Sequence, residues 1–471
     1  MKQLTLINIA DACGGKLCGG AGLEEKEITC GVIDSRKIEK DGLFFAAVGE
    51  HVDGHKFIAQ VFAKGAACVV TEKTPEAVEA EHGVPASEWG PYILVESTFS
   101  ALKKIAVFYR KQLSIPIVGI TGSVGKTSTK EFIAGVLEQK FSVLKTEGNF
   151  NNEIGLPLTL LRIKEEHEVA VVEMGISEFG EMSRLGEMAR PDICVITNIG
   201  QCHLENLHDR AGVFKAKTEV FDYLQPDAEV CLNAEDDMLA VVKEVNGRDV
   251  HHFGFSKGES VMAYATEVES KGLFGSHANM HLEGEVYPVD VPLPGRHMVL
   301  NAMAAATVGK LLGLSVTEIL EGIKSVQPVG GRSNVMQLAD KTVIDDCYNA
   351  NPVSMKAAID LLTMGLERKV AILGDMFELG ENSDAMHGEV GTYAAEKGID
   401  VICCVGENSL HMYEAAKEVQ KPGQEILYFA TREELLKKLS ETVKSGDTIL
   451  VKASHGMGFA DIISWMESNF S

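Results

Sequence analysis

Residues 115–131, Ile115-Pro-Ile-Val-Gly-Ile-Thr-Gly-Ser-Val-Gly-Lys-Thr-Ser-Thr-Lys-Glu131, decide the fold. The apolar run from Ile115 to Thr121 reads as a strand. A glycine-bearing turn follows, and a helical pattern then runs from Lys126 to Gln139. Strand, loop and helix in that order form a phosphate-binding unit, because the loop N–H groups and the helix dipole together face an anion. Lys126 reaches phosphate oxygens and the Thr127 hydroxyl can hold Mg²⁺. The string departs from the strict G-x-x-x-x-G-K-[ST] pattern, since Gly119 lies one residue too early and Gly122 sits inside the loop. Thr121, Gly122, Ser123, Gly125, Lys126, Thr127 and Ser128 are the expected phosphate and nucleotide contacts; an ordinary glycine turn before a helix is the alternative.

At 471 residues the chain is about three times a typical domain of roughly 150, so three cores are expected. Residues 1–113 alternate short apolar strands with helical patterns, a small α/β unit that ends where Pro116 disfavours further helix. Residues 114–328 hold the phosphate unit, further buried strands at Val169–Glu173 and Ile193–Asn198, and short alternating stretches over about 250–292 that read as appended antiparallel strands. Helix returns at Asn301–Leu312. Residues 329–471 place five apolar strands among helical segments, a doubly wound Rossmann-like sheet that binds ligands at strand carboxyl ends. The predicted fold class is therefore α/β in three domains.

Composition narrows the function. Hydrophobic residues make up 45% and charged residues 24%, which excludes a disordered or fibrous chain. Asp plus Glu number 68 against 44 Lys plus Arg, and the resulting −24 repels nucleic acid, so any phosphate ligand must find a local pocket. The ten cysteines show no paired C-x-x-C spacing and read as buried thiols. Neither a signal peptide nor an apolar run near the ~18 residues that cross a bilayer is visible, and a cytoplasmic protein is expected.

Further groups gather at strand ends. Glu173 closes the strand Val-Ala-Val-Val-Glu, where a carboxylate can meet a metal beside phosphates, or equally cap a helix. His203 follows the strand Ile-Cys-Val-Ile-Thr-Asn by a short loop, and Lys215 and Lys217 lie on a helix expected from about Ala211. A lone histidine or lysine is also at home in a structural or solvated role. Asp345-Asp-Cys-Tyr-Asn-Ala-Asn-Pro352 gathers carboxylates, a ring and amides before a helix, suited to ribose and purine contacts or simply to helix capping.

Taken together, TGSVGKTSTKE (121–131), TEGNFNNEIGLP (146–157), EMG (173–175), ITNIGQCHLE (196–205), AKTEVF (216–221), LPGRHMVLNAMAA (293–305), GGR (330–332), DDCYNANPVSM (345–355) and GDMFELG (374–380) resemble the Mur ligase family of peptidoglycan synthesis. DDCYNANP with GDMFELG resembles the branch whose amine substrate is D-alanyl-D-alanine. The resemblance implies an ATP-dependent amide ligase: ATP phosphorylates the terminal carboxylate of a UDP-N-acetylmuramoyl-tripeptide, D-alanyl-D-alanine attacks, and ADP and phosphate leave. It implies a UDP-sugar domain over 1–113, a central ATP domain over 114–328, a ligase domain over 329–471, two Mg²⁺ sites and a monomer. It makes Thr127 and Glu173 ligands of the nucleotide Mg²⁺, His203 a ligand of the second, and Lys217 a lysine that CO₂ carbamoylates. Asn301, Asp346, Tyr348 and Asn349 fall around adenosine, and Arg332 reaches the γ-phosphate. Ser35, Arg36, Asp53 and His55, within Asp34–Arg36 and Gly49–His55, resemble the uridine-diphosphate pocket; Thr146, Asn149, Asn151 and Asn152 resemble the muramoyl side. The sequence departs from the family pattern at Met298, Cys347, Thr218 and, most consequentially, His455, where the family carries arginine. Other ligases of this architecture, including folylpolyglutamate-like ones, and a nucleotide-gated binding protein are the alternatives.

Overall fold

Three principal β-sheets succeed one another along the chain in a computed structural model that describes residues 1, 3–50 and 52–470, so His51 of the expected uridine pocket lies outside the described residues. The first sheet contains β1 (Lys16–Cys18), β2 (Gly31–Val32), β3 (Leu43–Phe45), β4 (Cys68–Thr71) and β5 (Tyr92–Leu94) in the order β1-β5-β4-β3-β2. Only β1 runs antiparallel. The segments bearing Ser35 and Arg36, then Asp53 and His55, thus leave the carboxyl ends of neighbouring strands β2 and β3.

The second sheet is built from β6 (Ile117–Thr121), β7 (Val143–Lys145), β8 (Val169–Glu173), β9 (Ile193–Ile196) and β10 (Glu229–Asn233). After a small separate hairpin, β11 (Glu244–Val245) and β12 (Arg248–Asp249), it continues with β13 (His251–Gly254), β14 (Val261–Ser270), β15 (Ser276–Leu282) and β16 (Glu285–Val291). Its order, β16-β15-β14-β13-β10-β9-β6-β8-β7, puts β6 between β8 and β9, so the phosphate loop emerges beside Glu173 and the residues after Ile196. All three strands are buried along their whole length, as near-continuous apolar runs require. The antiparallel stretch expected over 250–292 begins later than read: β13 pairs parallel with β10 and β14 parallel with β13, and only β14, β15 and β16 alternate. The helices Lys126–Leu137 and Arg296–Leu311 pack Phe132, Val136, Val299 and Met303 against one face. The latter helix starts five residues before the expected Asn301, directly after Gly295 at φ +104°, which sets Asn301 inside the helix with 7% of its surface exposed.

The opposite face shares one core with the first sheet through the helices Thr98–Arg110 and Glu181–Ala189. Arg110, 2% exposed, rivets the junction by donating to Ala189 O at 2.7 Å, Arg190 O at 2.9 Å and Asp192 Oδ2 at 2.8 Å.

The third sheet comprises β17 (Asn334–Leu338), β18 (Lys341–Asp345), β19 (Lys369–Gly374), β20 (Val401–Val405), β21 (Glu425–Phe429) and β22 (Thr448–Lys452), ordered β17-β18-β22-β19-β20-β21. Helices cover both sides: Met355, Ile359 and Val390 lie in one core, Leu435, Leu439 and Ile462 in the other. Strand β17, antiparallel to β18, was not expected from the sequence; it is a half-exposed edge without an apolar run. The last strand of the chain, β22, inserts between β18 and β19, opening the crevice into which Asp346 and Lys452 project.

Candidate active site

The phosphate loop is strapped to the end of β9. Ser123 N donates to Asn198 O at 3.1 Å and Val124 N to Asn198 Oδ1 at 2.9 Å, while Thr197 Oγ1 and Asn198 Nδ2 donate to Val124 O at 2.6 and 2.9 Å. Gly122 sits at φ +146°, and a Cβ there would lie 2.0 Å from Thr197 Oγ1, so glycine is obligatory for steric as well as torsional reasons. Gly125, at φ +85°, turns the chain into the helix that begins with Lys126. Lys126 Nζ folds back to donate to Gly122 O at 2.8 Å. Burial first, then the charge of Lys217, pushes the Lys126 ammonium down to about 8, so the site favours an arriving anion.

Glu173 lies directly below the loop and is fully buried. Its Oε2 accepts from Thr127 Oγ1 at 3.1 Å and Asn151 Nδ2 at 3.4 Å, and its backbone N donates to Thr146 Oγ1 at 3.0 Å. Lys130 Nζ approaches Oε1 at 3.5 Å, yet that oxygen accepts no hydrogen bond. A buried carboxylate oxygen without a donor, beside a threonine hydroxyl, fits Mg²⁺, which takes one or two protein oxygens and completes its shell with phosphate and water. Among the described residues, no three His, Cys, Asp or Glu side chains converge into an all-protein metal cage, and such a shared site needs none.

Lys217, 1% exposed, lies in the last turn of the helix Arg210–Thr218 and forms no ion pair among the described residues. Burial lowers its pKa and favours the neutral amine. His203, at φ +52°, precedes the short helix Leu204–Leu207, and its Nδ1 rests against the Glu378 carboxylate of the third domain. Cys202 donates from Sγ to Ser123 Oγ at 3.1 Å and so ties this loop to the phosphate loop.

Across the crevice, Arg332 stacks its guanidinium 3.8 Å from the Tyr348 ring centroid, and the His455 ring lies 5.5 Å from the same ring. Asp346 accepts from Lys452 Nζ at 2.6 Å and Ser333 N at 2.8 Å, and Lys452 also donates to Asn349 O at 2.9 Å. Asn301 Oδ1 accepts from Thr129 Oγ1 at 3.1 Å, which fixes the amide next to Gly125. The capping alternative holds for part of this string: Asn351 caps the helix Pro352–Leu362 through Ser354, and Asp345 binds Gly331 N and the Cys347 thiol.

One cleft of about 480 Å³ gathers Ser123, Gly125, Lys126, Ser128, Asn151, Asn152, His203, Asn301, Arg332, Asp346, Tyr348 and Asn349, with Thr127 and Glu173 immediately beneath. Thr146 does not face it: 1% exposed, it supports Glu173 and accepts from Lys130 Nζ at 2.7 Å. Asn152 Oδ1 accepts from Ile154 N and Gly155 N at 3.1 and 2.8 Å. Ser35, Arg36, Asp53 and His55 belong to the first sheet instead. There burial opposes, but hydrogen bonds from the His55 backbone and ring outweigh it and hold Asp53 down to about 2, and His82 Nε2 adds a contact at 2.9 Å. His55 is wholly buried and its Nε2 has no partner among the described residues. Arg36 forks onto Asp34 at 2.9 Å.

Sequence reasoning missed Lys130, Lys452 and Glu378. Lys130 lies four residues after Lys126, on the same side of its helix, and Lys452 ends an apolar strand just as Glu173 does. Glu378 sits in a quoted string without being singled out, and its contact with His203 spans two domains.

Residues 27–110, 120–309 and 331–455 match, respectively, the descriptions "Mur ligase family, catalytic domain", "Mur ligase middle domain" and "Mur ligase, glutamate ligase domain". The UDP-N-acetylmuramoyl-tripeptide–D-alanyl-D-alanine ligase of Bacillus subtilis is 34% identical over 472 residues, with 98% of each chain covered. A crystal structure of MurF from Acinetobacter baumannii superposes with a TM-score of 0.85 at 30% identity over 99% of both chains. MurF ligase from Thermotoga maritima in complex with ADP gives 0.77 at 28%, over 94% of this chain and 97% of that one.

Proposed function

The chain belongs to the Mur ligase family, and from that premise we propose how its cleft performs the reaction of the D-alanyl-D-alanine-adding branch. It is an ATP-dependent ligase that joins D-alanyl-D-alanine to UDP-N-acetylmuramoyl-tripeptide and yields the pentapeptide, ADP and phosphate. The observation that carries this reading is the convergence of Lys126, the Thr127–Glu173 pair, His203 and Arg332 on one crevice between two domains.

A carboxylate is a poor acyl donor because oxide would have to leave. Its oxygen therefore attacks the γ-phosphorus, ADP departs, and the acyl phosphate carries a displaceable group. The dipeptide nitrogen then attacks the acyl carbon, the C–O bond breaks, phosphate leaves and the nitrogen gives up a proton. Lys126 and the loop N–H groups hold the phosphates as charge shifts between their oxygens. Arg332, carried by the segment that joins the second and third domains and stacked on Tyr348, brings its charge to the γ-phosphate when the domains close. Thr127 and Glu173 would hold the nucleotide Mg²⁺, and His203, with Lys217 if carbamoylated, would hold a second; such ions would supply charge neutralisation between two anions. The buried, ion-pair-free amine of Lys217 supports carbamoylation, which requires a neutral nitrogen. Asn301, Asp346, Tyr348 and Asn349 flank adenosine. Ser35, Arg36, Asp53 and His55 take the uridine diphosphate, and Asn149, Asn151 and Asn152 border the muramoyl peptide, with Thr146 behind the cleft as a support of Glu173. The working division is 1–113, 114–328 and 329–471, in a cytoplasmic monomer supplied with ATP; no helix among the described residues is long and apolar enough to cross a membrane.

Purified protein given ATP, D-alanyl-D-alanine and the lysine or diaminopimelate tripeptide nucleotide tests this by mass spectrometry. The expected product is heavier by the dipeptide less one water. ATP hydrolysis that ignores both peptide substrates would overturn the proposal.

A further inference from the structure

We propose that Glu378 is the anchor for the ammonium group of the incoming amine substrate, an inference that rests on the ligase reading above. A dipeptide amine reaches the cleft mainly as a cation, and a cation entering beside Lys126, Lys217 and Arg332 needs a carboxylate of its own. Three carboxylates line the cleft: Glu181, Asp346 and Glu378. Two are already committed. Glu181 Oε2 accepts from Ser177 N at 2.6 Å, Ser177 Oγ at 3.3 Å and Glu178 N at 3.0 Å, and so closes a turn. Asp346 is held by Lys452 at 2.6 Å and Ser333 N at 2.8 Å. Glu173 lies beneath the loop, fully buried, and meets Thr127 and Lys130.

Glu378 differs from all of these. Its side chain is 54% exposed, and its one ion-pair contact among the described residues is the His203 ring. Among the described residues that imidazole Nδ1 has no other partner, and the contact shows that the Glu378 carboxylate is open, on the cleft side, to a nitrogen-bearing group.

The backbone holds Glu378 in place. Glu378 adopts φ +61°, in the left-handed region that non-glycine residues seldom occupy, between buried Met376 and Leu379. Met376 N donates to His387 Nε2 at 2.9 Å and Phe377 N to Ser454 Oγ at 2.9 Å. The loop is thus pinned to the third domain by a buried histidine and by the residue beside His455, and it presents Glu378 towards the phosphate end of the second domain. With the sugar nucleotide held by the first domain, as proposed above, the acyl group and an amine at Glu378 would be presented by different domains, which suits an intermolecular attack.

The test separates the two half-reactions. With tripeptide nucleotide but no dipeptide, reversible acyl-phosphate formation scrambles the β,γ-bridge oxygen of labelled ATP, and this exchange needs no amine. For Glu378→Gln we expect exchange within about threefold of wild type and a KM for D-alanyl-D-alanine raised about 10- to 100-fold, as befits a lost charge-assisted contact. Glu378→Asp, which keeps the charge but shortens the reach, falls between, and thermal unfolding of both variants checks the fold. An unchanged dipeptide KM in Glu378→Gln overturns the assignment. Loss of the oxygen exchange in a folded Glu378→Gln overturns it too, because the carboxylate then serves the phosphate end. Absence of exchange in the wild type, by contrast, refutes the ligase reading itself and takes this inference with it.

Discussion

Gly122→Ala is the sharpest geometric test of the phosphate loop. An added Cβ would stand 2.0 Å from Thr197 Oγ1, about 1 Å inside the 3.0 Å that real Cβ atoms respect. The obstacle cannot rotate away freely, because that hydroxyl donates to Val124 O at 2.6 Å and holds the loop against β9. Accommodation therefore breaks a hydrogen bond of about 0.5–1.5 kcal/mol. It also forces alanine to φ +146°, a glycine conformation that costs about 1–3 kcal/mol. The loop is expected to yield by moving, which displaces the N–H groups that hold phosphate by about 1 Å, a misplacement worth about 100-fold in rate. kcat/KM for ATP should accordingly fall about 100-fold, close to 2.7 kcal/mol of transition-state stabilisation. The KM for D-alanyl-D-alanine should stay near wild type. Initial rates of ADP release over an ATP series supply the measurement. The Gly122→Ala/Thr197→Ala double variant should recover part of the loss, since it removes the nearest atom. A single variant with wild-type kcat/KM would show that the loop does not depend on this contact, and the reasoning would fail.

Lys126 is pushed down to about 8, against roughly 10.4 for a free lysine, so the nucleotide-free site holds a neutral amine above that pH. A bound polyanion favours the ammonium, so ATP binding should take up a proton between about pH 8 and 10 and weaken as pH rises; calorimetry in buffers of different ionisation enthalpy reads the uptake, and none in that window refutes it. Lys452→Met strands Asp346 in the crevice and should cost about 3–5 kcal/mol in denaturant unfolding, whereas Lys452→Met/Asp346→Asn should regain most of it; additive losses would show that the pair is not coupled. Arg110→Ala removes all three contacts to the segment 189–192 and should lower Tm by several degrees with kcat changed less than about threefold; an unchanged Tm would mean that the junction does not rely on it.

The phosphate loop was legible in the sequence because every determinant is local: an apolar strand, glycines at two left-handed positions, and a helix that begins with Lys126. Glu173 and His203 were placed for the same reason, since a strand's end can be read from its own residues. Pairing between distant segments left no such trace. Nothing in Thr448–Lys452 says that it inserts between β18 and β19, and the Lys452–Asp346 bond joins positions 106 residues apart. Strand β17 escaped because an edge strand buries too little to impose alternation. Glu378 escaped because its partner lies on another domain.

Net charge and site charge pull in opposite directions here, and the opposition is part of the mechanism. A chain of net charge −24 repels both ATP and a nucleotide sugar at long range, so attraction must be generated within a few ångströms. Lys126, Lys217 and Arg332 are crowded together to do this, and the crowding is visible in Lys126, whose proton is loosened by burial and by both neighbouring cations. An anion arriving at the loop relieves that repulsion, whereas a neutral molecule of similar shape does not. Selectivity for phosphate is therefore drawn from repulsion already built into the cleft's own side chains.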